Sequence, residues 1–123
     1  MKMTAYDLML KVKNELESKG FTTATTTVTA TGCMYSGKAH KDGKCEYIPV
    51  KGYSFSDLFG YDIRFEVVHR HNAAEEDISV DIKIFKWYRS SGNRIARERI
   101  NTKMGEKAIM NRINKIIDLY ETL

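Results

Sequence analysis

Tyr61-Asp62-Ile63-Arg64-Phe65-Glu66-Val67-Val68-His69 alternates apolar and polar side chains, the period-two pattern of a strand with one buried face. Ile63, Phe65 and Val67 fall on the inward face, and Asp62, Arg64 and Glu66 on the other. A polar turn over residues 72–76 follows, after which Ile78, Val80, Ile82 and Ile84 alternate against Ser79, Asp81 and Lys83. Two such strands predict an antiparallel sheet that needs an apolar layer on one face only.

Amphipathic helices bracket this centre. Upstream, Thr4 has the chemistry of an N-cap and Asp7 completes a capping box. Leu8, Met9, Val12 and Leu16 then recur at helical spacing up to Gly20, which predicts a helix over 4–19. Downstream, Ala108, Ile109, Ile113, Ile116, Ile117 and Tyr120 form a second stripe over 104–121. Between the first helix and the central strands, residues 21–31 are dense in threonine and read as a strand, with Ala24, Val28 and Ala30 on its inward side. Residues 32–44, with Gly32, Gly37 and Gly43, read as a loop or a wide hairpin connection. A short strand is expected from Cys45, limited by Pro49 to an edge position. Ser90-Ser91-Gly92-Asn93 reads as a turn into a segment, 94–100, compatible with strand or helix. Tyr53, Phe55, Phe59 and Tyr61 are expected to pack in the core, the alternative being that they line a binding loop or plug one sheet edge. The fold class is therefore α+β: an antiparallel sheet of four to five strands flanked by an N-terminal and a C-terminal amphipathic helix.

The chain has 123 residues, 42% hydrophobic, with one proline and eight glycines, which suits one domain over 1–123. No apolar run approaches the roughly 20 residues of a membrane span. The N-terminal residues lack the apolar stretch of a signal peptide, so the expected location is the cytoplasm. The net charge is +4, but it is segregated: residues 54–82 carry −5 and residues 83–115 carry +8. Such a molecule can steer toward a charged partner, although charge runs are often only a solvated surface.

Two constellations carry candidate chemistry. Cys33, His40 and Cys45 place three zinc-capable side chains within thirteen residues, and His69 or His71 would supply a fourth ligand to a closed structural zinc site. The alternative is two unpaired thiols; a Cys33–Cys45 disulfide is disfavoured in a reducing compartment. The second constellation is Arg89, Arg94, Arg97 and Arg99 beside Trp87 and Tyr88. Guanidinium forks and aromatic faces suit single-stranded nucleic acid, and equally a protein interface. Asp57, Asp62, Glu66, Glu75, Glu76, Asp77 and Asp81 form the acidic counterpart. Phosphate-binding loops, dinucleotide fingerprints, zinc-protease and serine-hydrolase motifs are absent, so no enzyme is expected. A metal-dependent hydrolase using His69 and His71 with nearby carboxylates is the remaining catalytic option.

The plan of the chain, with its lysine- and isoleucine-rich C-terminal helix (Lys107-Ala108-Ile109-Met110-Asn111-Arg112-Ile113-Asn114-Lys115-Ile116-Ile117), resembles the small phage and mobile-element inhibitor proteins of the anti-CRISPR type. That resemblance implies a non-catalytic protein that binds and inhibits a CRISPR-associated nuclease or other nucleic-acid enzyme in a host cytoplasm. It brings no signature residues with it. On that reading the acidic residues would compete for the enzyme's nucleic-acid-binding arginines. The alternative is a small nucleic-acid-binding module using residues 86–103, with a zinc-stiffened loop.

Overall fold

The computed structural model of the chain describes residues 3–28, 33–68 and 78–123, with backbone alone at 27, 28, 33 and 34. In chain order these form α1 (Ala5–Ser18), β1 (Thr22–Val28), β2 (Cys33–His40), β3 (Cys45–Pro49), β4 (Ser56–Val68), β5 (Ser79–Arg89), β6 (Ser91–Asn101) and α2 (Glu106–Glu121). The α+β class holds, with six strands among the described residues. None of the described helices is long and apolar enough to cross a membrane.

Local chemistry sets the helix ends as expected. The Thr4 hydroxyl accepts from the Asp7 N–H at 3.1 Å while the Asp7 carboxylate accepts from the Thr4 N–H at 3.0 Å, a complete capping box. Gly20 adopts φ +90° just past α1, where only glycine is unstrained.

Antiparallel pairing runs β1-β2-β4-β5-β6. One face is apolar: Ala39, Ile63, Phe65, Val80, Ile82, Ile84 and Ile100 join Leu8, Met9, Val12 and Leu16 of α1 and Ile109, Ile113, Ile116 and Ile117 of α2 in one buried cluster. Both helices therefore lie on the same side of the sheet, and the other side carries no helix among the described residues.

Residues 32–44 are not the loop their glycines suggested, because Cys33–His40 is a strand. Gly37 lies opposite Phe65, whose ring sits 2.2 Å from where a Cβ on Gly37 would be. The glycine answers to a packing requirement across the sheet, not to a turn. Strands β2 and β3 share one edge of β4, beside residues 63–66 and 56–60 respectively, like one strand interrupted at 41–44. At that break the Tyr61 N–H donates to the Lys44 carbonyl at 2.7 Å. Gly60 approaches so closely, at φ +116°, that a Cβ would lie 2.2 Å from the same oxygen. The Tyr120 hydroxyl, on α2, donates to the Tyr61 carbonyl at 2.7 Å and accepts from the Lys41 N–H at 3.1 Å. Burial pushes this phenol up to about 12.

Three smaller expectations change. Ala24 is exposed, and Thr23 and Thr25 face the helices, since they pair with Ala39 and Gly37. The β5–β6 turn is Arg89–Ser90, because Tyr88 pairs with Ser91, and residues 94–100 are strand. Tyr53 and Phe55 stack on each other at 5.1 Å between centroids but are 68% and 52% exposed, outside the core.

Candidate site on the uncovered sheet face

Strand register decides which side chains share the uncovered face. Ala24, Lys38, Arg64, Lys83 and Arg97 are successive cross-strand partners from β1 to β6, so four cations stand in one row across the sheet. Like charges directly opposite one another cost stability. Two flanking carboxylates offset part of that cost: Asp62 accepts from Arg64 Nε at 2.7 Å, and Glu66 from Lys83 Nζ at 2.7 Å. Neither Lys38 nor Arg97 is paired with a carboxylate among the described residues; Lys38 instead sits 4.8 Å over the Tyr47 ring.

A bulge brings a further arginine to the same face. Ile84 pairs with Ala96 but Phe85 pairs with Arg94, so Ile95 is an extra residue in β6. Arg94, which simple alternation would place opposite Arg97 and Arg99, thereby shares their side of the sheet. Arg94 and Arg97 are exposed.

Beside the cation row lie the aromatics. Phe85 and Trp87 are 5.6 Å apart by centroids, and the Arg64 guanidinium lies 4.9 Å from the Trp87 centroid. Gly92, opposite Trp87 in β6, leaves room for the indole; a Cβ there would be 2.5 Å from the ring. Asp62 organises this corner. Fully buried, it accepts from Trp87 Nε1 at 2.6 Å, from Tyr47 Oη at 3.1 Å and from Arg64 Nε. Burial and then the Asp62 charge raise the Tyr47 phenol. The same two causes push the neighbouring Cys45 thiol up to about 11, which makes it a poor nucleophile. Over β1, β2, β4 and β5 the face dips into a groove of about 490 Å³ whose lining includes Lys38, Arg64, Lys83, Phe85 and Trp87.

The acidic candidates behave differently from the basic ones. Asp62 and Asp81 are 0% and 4% exposed, so neither presents charge to a partner. Asp81 accepts from Arg99 Nε at 2.6 Å and Nη2 at 3.1 Å. Burial raises its carboxyl, but the Arg99 hydrogen bonds and charge, with Arg97 and Lys83 behind, outweigh that and hold it below the usual range. Glu66 is tied to Lys83, Asp57 is half-buried, and Glu75, Glu76 and Asp77 lie outside the described residues. Arg89 occupies the turn at φ +59°.

Of the zinc candidates, Cys33 and His40 are held apart by the strand they share. Cys33 and His40 begin and end β2, roughly 20 Å apart at strand rise, and His69 and His71 lie outside the described residues. The His40 ring packs edge-on against Tyr47 at 4.6 Å, and Cys45 is a buried free thiol. No group of three or more metal-binding side chains occurs among the described residues.

No pattern in the sequence marks Lys38, Arg64, Lys83, Phe85 or Tyr47 for the site. Arg64 and Lys83 follow from pairing the two alternating strands; Lys38 does not, because the glycines around it resemble those of a loop. Compared with known protein families, curated proteins and solved structures, the chain matches none.

Proposed function

We propose that the protein is a non-catalytic binding protein whose uncovered sheet face takes single-stranded nucleic acid. The carrying observation is the row Lys38, Arg64, Lys83 and Arg97, which folding alone disfavours, flanked by Phe85 and Trp87. Such rows become favourable when a polyanion neutralises them, and half-buried aromatic side chains beside them, such as Phe85 and Trp87, can stack on bases without demanding a sequence. Arg94 and Arg97, exposed at the β6 edge, extend the same surface.

The test is binding of labelled single- and double-stranded DNA and RNA across a salt series. Single strands are expected to bind at micromolar or tighter affinity, with a steep loss as salt rises. Arg94→Glu with Arg97→Glu is expected to abolish it. No binding even at low salt overturns the reading.

A second reading, a protein that inhibits a partner such as a nucleic-acid enzyme, draws on a different surface. Ile48, Tyr53, Phe55 and Tyr88 are all exposed, from 47% to 68%, at the end of the sheet where the β3–β4 connection and the β5–β6 turn lie side by side. Exposed aromatics grouped in this way favour a protein contact, and nucleic-acid binding that survives Tyr53→Ser with Phe55→Ser would separate the two surfaces.

A further inference from the structure

The groove on the uncovered face is not just part of a charged strip. It measures about 490 Å³, inside the roughly 300–1,000 Å³ of small-ligand sites. Lys38 from β2, Arg64 from β4 and Lys83 from β5 line it with Phe85 and Trp87, and so does Glu66, the carboxylate that accepts from Lys83 Nζ. Its aromatic wall is held in place before any ligand arrives. The Trp87 N–H is anchored on buried Asp62, and Gly92 leaves room for the ring. On the β1 side the exposed Ala24 contributes only a methyl group, so the groove stays open there.

Cations and a fixed aromatic wall in one nucleotide-sized space recognise a phosphate and a planar base together. We infer that this groove is a subsite for one phosphorylated nucleoside, with its phosphate on Lys38, Arg64 and Lys83 and its base against Phe85 and Trp87. The inference deepens the single-strand reading. The same chemistry is presented by a free nucleotide and by the phosphorylated end of a strand. Arg94 and Arg97 do not line the groove but stand beside it, as the cross-strand partners of Phe85 and Lys83.

Trp87 is the only tryptophan and reports on the groove directly. At constant ionic strength its fluorescence is followed while adenosine monophosphate, adenosine or inorganic phosphate is added. The monophosphate is expected to change the emission saturably, with adenosine and phosphate each at least about tenfold weaker, a difference of about 1.4 kcal/mol. Ala24→Phe, which fills the groove from an exposed strand position, is expected to weaken the monophosphate at least about tenfold. Lys107→Glu, exposed on α2 on the opposite side of the sheet, should leave it within about threefold, since a charge that far from a site acts only through a screened field. Oligonucleotides with and without a 5′-phosphate identify the source. Preference for the phosphorylated strand assigns the groove to a strand end, and equal binding assigns it to the free nucleotide. No saturable change up to about 10 mM monophosphate, or inorganic phosphate binding as well as the nucleotide, overturns the inference. In that case the single-strand reading still stands or falls on the oligonucleotide titration. Monophosphate binding without oligonucleotide binding would remove the strand reading and keep the groove.

Discussion

Asp81 and Ile82 are neighbours in β5 and nearly equally hidden, at 4% and 0% exposed, yet they belong to two differently built faces. Ile82 sits among helix and strand side chains whose only requirement is to be apolar and to fill space. Asp81 sits on the face without helices, where burial comes from other polar side chains, and it is acceptable there because Arg99 grips both of its oxygens. Asp62 repeats the arrangement with Trp87, Tyr47 and Arg64. The helix-covered face is thus stabilised by area and the uncovered face by partners. The first kind of stabilisation carries no titrating group and is indifferent to pH, and the second depends on it.

Truncating the first face should cost the most. Ile82→Ala removes a fully buried side chain between two helices and four strands of core residues, and an expected loss of about 3–4 kcal/mol follows from the missing burial plus the cavity. Urea unfolding monitored by circular dichroism measures it, and the loss should be the same at pH 4 and pH 7. A loss below about 1 kcal/mol would mean that the helices do not close over β5 as described.

The corresponding change on the other face is Asp81→Asn, which keeps the shape and removes the charge. At neutral pH the expected loss is about 1.5–3 kcal/mol, the range for hydrogen bonds to a charged group. Here the pH dependence carries the test. The folded carboxyl is held below its ordinary range, so the unfolded chain takes up its proton first as pH falls. The stabilisation is therefore complete above the ordinary aspartate range and disappears as pH drops through the folded value. The variant and the parent should converge in stability toward that acid limit, whereas Ile82→Ala keeps its full deficit. A constant gap between Asp81→Asn and the parent down to acid pH would show that the Arg99 pair is not what holds Asp81.

The same division explains what could be read from residues alone. Period-two alternation in 61–69 and 78–84 and the helical stripes at both ends report burial against an apolar layer, so the helices, the central strands and their inward faces were legible. Burial by polar partners leaves no such period. Asp62 and Asp81 look like solvated acids in a chain of letters, and only the register of β3, β4, β5 and β6 shows them enclosed. Strand β2 was illegible for a related reason. Gly37 is there because the Phe65 ring needs its space, and a glycine demanded by a residue 28 positions away is indistinguishable from one demanded by a turn. The cation row is illegible for the second reason, since Lys38 belongs to β2, and the placement of Arg94 beside it rests on the unsignalled bulge at Ile95.

The smallest expected effect concerns Arg89, which shared a cluster with Arg94, Arg97 and Arg99 in sequence but not in space. It holds φ +59° in the exposed turn between β5 and β6, a conformation costing a side-chain-bearing residue roughly 1–2 kcal/mol. Arg89→Gly removes that strain but gives the unfolded chain more freedom, which takes back about 0.4–1 kcal/mol. The net expectation is a gain near 0.5 kcal/mol, seen as a rise of about 2 °C in Tm. Because this arginine stands outside the cation row, oligonucleotide affinity should change by less than about threefold, as for a distant screened charge. A variant that melts earlier than the parent would show that the turn relies on the arginine side chain rather than merely enduring it. A large loss of affinity would extend the binding surface off the sheet face and onto the aromatic tip, joining two regions that the geometry keeps separate.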